Sequence, residues 1–258
     1  MGARLKVREI DPRRWDAGNY AVDIQSDRHG QFFELRIPEA LRESLELSVM
    51  QSESKQRHLL LAVRNTKAKR QLDRFLCGHD EREWFVAAVP GHASSVRQAM
   101  DALQPEAVQN ALTHHQVSFK ERYRRKNPAF RRQGEWFFLP EPSLAVDPRL
   151  ILHHEPIRRG LGKPHIVEEL FRDGGKRVYV SRQRPNGVTE HEYQALLRDD
   201  TNDAALWRWQ SMTRDPTVYA RGKVRHPDHA TITLPVWHRV LMNTETQSRT
   251  MANLAFLD

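Results

Sequence analysis

The chain has a single cysteine, Cys77, among its 258 residues. An internal disulfide framework is therefore excluded, and so are the thiol-rich zinc signatures of the nucleobase deaminases. Such sparing use of cysteine fits a reducing compartment and predicts a cytoplasmic protein. Long apolar runs are also lacking. The longest, around Leu59-Leu60-Leu61-Ala62-Val63, is far too short to span a bilayer, so no membrane partner is expected. Residues 1–6 offer no apolar signal core, and Lys6 stands where a myristoylation signal has Ser or Thr. Gly-x-Ser-x-Gly, His-Glu-x-x-His and dinucleotide-binding fingerprints are absent, as are repeats of fixed period.

What is present is positive charge, unevenly placed. Residues 118–258 carry 24 Lys+Arg against 17 Asp+Glu, whereas residues 1–117 carry 17 against 16. That contrast divides the chain into a nearly neutral segment over residues 1–117 and a basic segment over residues 118–258. In the basic segment Arg outnumbers Lys 19 to 5, and guanidinium forks onto phosphate in a way that ammonium does not. Five prolines, Pro140, Pro142, Pro148, Pro156 and Pro164, make residues 140–164 the most loop-like stretch, a Pro-rich seam.

Alternating apolar patterns predict an α+β fold, mainly antiparallel β-sheet with a few capping helices, in two sub-domains. Asp27-Arg28-His29-Gly30 and Asp173-Gly174-Gly175-Lys176 read as hairpin turns, and Gly78-His79-Asp80 as another. Ser95 through Gln98 and Thr189 through Glu192 read as capping boxes that open helices, and Pro105 as the first residue of another helix. A helix is expected to end at Asn127-Pro128, and a helical run to cover Ala204–Met212.

The densest basic run is interleaved with rings: Lys120, Arg122, Tyr123, Arg124, Arg125 and Lys126, then Arg131, Arg132 and Trp136. Arg158, Arg159 and Lys163 add a second cluster on a Gly-containing loop. These cations suit phosphate, and Tyr123 and Trp136 suit an unpaired base, so RNA or single-stranded DNA is the expected partner. The nearly neutral segment, residues 1–117, then serves as a scaffold or binds a protein partner. An interaction role without nucleic acid is the third reading.

The first rival is a metal-dependent hydrolase, a nuclease built at residues 226–238. His226, His229 and His238 are candidate ligands for a divalent metal, the one cofactor the sequence suggests. Asp228-His229, with Asn243 fourteen residues on and Asn253 ten further, resembles the Asp-His…Asn…Asn order of the HNH nucleases. That resemblance covers under thirty residues. It implies His229 as general base, Asn243 as the residue that positions it, and Asp228 with Asn253 as metal holders. It departs at Thr231-Ile232-Thr233-Leu234, which reads as a buried strand rather than a polar loop. Cys77 and His79, two apart, suit a buried structural thiol at a turn better than a nucleophile.

Overall fold

The computed structural model describes residues 4–10, 20–67, 71–80, 83–159, 162–199 and 203–247. These are mostly antiparallel strands with few helices. The chain divides into two compact units: residues 1–128 with 242–253, and residues 129–241 with 254–258. The charge contrast placed the division near 117. Asn253 and the apolar stretch 255–257 lie outside the described residues.

In the first unit, β1 (Leu5–Ile10), β2 (Ala21–Asp27) and β3 (Gly30–Pro38) form a sheet in the order β1-β3-β2, with β1 parallel to β3. β4 (Leu45–Glu53), β5 (His58–Asn65), β6 (Gln71–Asp80) and β7 (Glu83–Ala88) form an antiparallel meander. The alternation of β5 explains the layering. Leu61 and Val63 join Phe33, Leu35, Ile37 and Phe75 in the core shared with the first sheet. Leu60 takes the opposite face, where α1 (Val96–Ala102) packs through Val96 and Ala99. α2 (Glu106–His114) follows, with Pro105 as its N-cap rather than its first residue.

Gly78 lies within β6, not in a turn. It sits between His58 and Phe85 on the neighbouring strands, and a Cβ there would come within 2.7 Å of the Phe85 ring. Glycine is needed for close approach rather than for chain reversal. At α1, Ser95 accepts from the Gln98 amide as expected, but the Gln98 side chain reaches Ser94 rather than Ser95. Residues 119–125 form successive turns, so no helix leads into Asn127-Pro128.

The second unit begins with β8 (Arg131–Gln133), β9 (Trp136–Pro140), β10 (Leu152–Ile157) and β11 (His165–Asp173). β12 (Lys176–Ser181) and β13 (Arg184–Thr189) lead into α3 (Glu190–Arg198), which has the full Thr189/Glu192 capping box. β14 (Gln210–Arg214), β15 (Thr217–Arg225) and β16 (Ile232–Met242) follow. One sheet has the order β10-β11-β15-β16-β9-β8, and a smaller one β13-β12-β14. The Pro-rich stretch therefore contributes β10, an edge strand.

Phe138, Val167, Leu170, Ala220, Val224 and Leu234 form the core under the larger sheet. Two readings are corrected here. β11 and β12 do not pair; Gly174 and Gly175, both at positive φ, carry the chain from one sheet to the other. Residues 204–206 make only a 3-10 turn, and the chain then enters β14.

Candidate nucleic-acid interface and histidine cluster

Alternation along β15 decides what the larger sheet shows on the side away from its core. Val218, Ala220 and Val224 face inward. Tyr219, Arg221, Lys223 and Arg225 therefore take the other face. Cross-strand register adds to it: Tyr219 is flanked by Phe171 on β11 and Arg239 on β16, and Arg221 by Glu169. Phe171 and Tyr219 stack with centroids 6.0 Å apart, and the Arg221 guanidinium lies 4.6 Å over the Trp237 ring.

The cations on this face are not equivalent. Arg221 is bound by the Glu169 carboxylate, and that hydrogen bond holds the Glu169 carboxyl below its usual range against the opposing effect of burial. Lys223 and Arg225 are exposed. Among the described residues, their side chains form no ion pair. Lys223 is set in place through its backbone: a bulge at Gly222 turns its N–H onto the Glu168 carboxylate at 2.7 Å. Along the outward face of β15 one ring, Tyr219, is thus followed by the bound Arg221 and then by the exposed Lys223 and Arg225.

The cations singled out from the sequence are more dispersed. Lys120 through Lys126 belong to the first unit. There Arg122 lies 3.8 Å from Asp101 and Arg124 3.5 Å from Glu121, while Arg125 pairs with Asp80. Tyr123 donates to Asp101 at 2.9 Å and packs edge-on against Phe119. Arg131 and Arg132 lie on β8, and Trp136 opens β9. Arg158 is exposed just past β10, and Arg159 is half-buried beside it. Lys163 holds both oxygens of Asp228 at 2.8 Å.

The histidines are rearranged relative to expectation. His226 and His229 come together, but their third companion is His165, not His238. Register explains the grouping. Ile166 is opposite Arg225, so the next step along these antiparallel strands brings His165 beside His226. Pro227-Asp228 then turns His229 back onto both. The rings are stacked, with centroids 4.2 Å apart for His165–His226 and 4.6 Å for His226–His229. Candidate ligand atoms of all three lie within 4.8 Å of one another.

His165 is 1 % exposed, and neither of its ring nitrogens has a hydrogen-bond partner. Burial first, then the charges of His226 and His229, push it down to about 3. His226 is lowered for the same reasons, against Asp228, the Lys163 carbonyl and Glu135. Both imidazoles are therefore neutral near pH 7 and carry a lone pair. For Asp228, burial pushes the carboxyl up. The Lys163 hydrogen bond and charge, with the two histidines, outweigh burial and leave it lowered.

The β8–β9 turn closes over this group. A Cβ on Gly134 would lie 2.9 Å from His229 Nε2 and 3.4 Å from His165 Nε2. Gln133 donates to the carbonyls of Val224 and Ala230, and the Trp136 ring meets His165 edge-on. His238 stands apart on β16, 3 % exposed, with Nδ1 2.7 Å from the Val236 carbonyl. Asn243 accepts from the Glu245 N–H at 3.3 Å and belongs to the first unit. His165, Tyr219, Lys223 and Arg225 were not singled out from sequence; only strand register reveals them.

Searches against protein families, curated proteins and solved structures find no match to this chain.

Proposed function

We propose that the protein binds single-stranded nucleic acid, RNA or unpaired DNA, along β15 of the second unit. The observation that carries this reading is the run Tyr219, Arg221, Lys223, Arg225, with Phe171 stacked against Tyr219 and Arg239 beside it. Exposed cations supply a salt-dependent attraction for phosphate. A half-buried aromatic pair on a sheet surface offers a stacking platform that tolerates any base. Arg158, exposed just past the edge strand β10, adds a further cation to the same unit. The net charge of +8 supports the reading by favouring polyanions.

The test is fluorescence polarisation with labelled single-stranded RNA and DNA across a salt series. The double variant Lys223→Ala/Arg225→Ala should flatten the log–log salt slope by about 2, one per lost phosphate contact. Tyr219→Ala should cost about 1–3 kcal/mol with little change in slope. Full retention of affinity in a variant combining all three changes sinks the reading. Loss of binding only on changing Lys120 and Lys126 moves the interface to the first unit.

A further inference from the structure

The histidine group has no role in that interface, and it has features that a hydrophobic core does not need. A buried imidazole in a core normally donates or accepts at one nitrogen at least. His165 does neither, and an unsatisfied buried polar group destabilises the fold that holds it. Two further imidazoles stand against it, on a loop whose turn serves to bring them back. Gly134 keeps the space over two ring nitrogens free of a side chain.

We propose that His165, His226 and His229 bind one first-row divalent transition metal ion, of which Zn²⁺ is the best fit. Three imidazole donors without thiolate suit Zn²⁺, Co²⁺, Ni²⁺ and Cu²⁺, and exclude Ca²⁺ and Mg²⁺, which require oxygen. Ligation at bond lengths of 2.0–2.1 Å draws the nitrogens to about 3.3 Å apart and fans the stacked rings. Half-exposed His226 and His229 can make that adjustment on their loop. His226 contributes the Nδ1 lone pair that otherwise accepts from the Asp228 N–H at 3.1 Å, exchanging a weak neutral hydrogen bond for a metal bond. With the Asp228 carboxylate held by Lys163, the fourth position falls to water, the arrangement of an exchangeable site rather than a closed one.

Untagged protein, stripped with chelator, should take up one equivalent of Zn²⁺ by calorimetry and elemental analysis. Co²⁺ should give the visible bands of a four-coordinate nitrogen-ligated ion. His226→Ala and His229→Ala should each lower affinity at least about 100-fold, whereas His238→Gln should leave it unchanged. His226 and His229 are on a surface loop, so these variants test the site even where His165→Ala fails to fold. The proposal is overturned by uptake well below one equivalent in the wild type, or by equal uptake in the His226→Ala/His229→Ala double variant.

Discussion

The Gln133 side-chain amide donates to the Ala230 carbonyl at 2.7 Å, tying the β8–β9 turn to the residue after His229. The same nitrogen reaches Val224 at 3.3 Å, and Gln133 is 1 % exposed. Replacing it with leucine keeps the volume and removes the donor from two carbonyls. Gln133→Leu should cost about 1–3 kcal/mol in urea unfolding, since the buried Val224 carbonyl loses a donor and the tie to Ala230 is cut. It should also weaken Zn²⁺ uptake by about 10-fold, as a change in the support of a ligand does. Wild-type stability in this variant would mean that the amide is dispensable.

His165→Phe separates stability from ligation. An apolar ring of similar shape relieves two unsatisfied nitrogens, so the metal-free variant should match or exceed the wild type in Tm. The rise in Tm on adding Zn²⁺, expected of any ligand that binds only the folded state, should vanish. A metal-free Tm well below that of the wild type would show that the imidazole makes a stabilising contact.

Cys77 should be inert in the folded chain. It is 2 % exposed, and burial pushes its thiol up to about 12. Thiolate is the reactive form, so a disulfide reagent at pH 8 should label the native protein at the rate of unfolding and the urea-unfolded protein at once. Rapid labelling without denaturant contradicts this.

Acid should weaken the fold in some measure through His238. Burial lowers its pKa below the ordinary 6.5, against the Val236 carbonyl. The folded state therefore holds a neutral ring while the unfolded chain takes a proton as pH falls below about 6.5. Stability contributed above that pH is lost progressively below it. In His238→Phe the fall in Tm between pH 7.5 and 5 should be smaller than in the wild type. An equal fall would assign the acid sensitivity to other groups.

The elements legible in the sequence were those fixed by neighbouring residues. The Asp27/Gly30 turn, the Ser95 cap and the Thr189/Glu192 box each depend on contacts within four positions along the chain. Pairing between distant strands was not legible. β1 lies parallel to β3 without a local mark, and Asp173-Gly174-Gly175-Lys176 has hairpin composition but serves two sheets. The sites followed the same division. His226 and His229 stood out because they share a turn, whereas His165 lies some sixty positions away and reaches them only through β11/β15 register. The cation-rich run 120–126 was conspicuous in composition, yet composition does not reveal that Arg122 and Arg125 have acidic neighbours, Asp101 and Asp80, far along the chain.

Gly174 and Gly175 carry φ values of +65° and +89°, and a Cβ on Gly175 would come within 2.5 Å of the Thr213 methyl group. The exposed Lys223 and Arg225 side chains should be exchangeable one at a time with little harm to folding. At this crossing even a methyl group forces the backbone out of its path. Mutational tolerance should therefore be lowest where chemistry is least visible, and a saturation scan would mark this corner before it marked any charged residue.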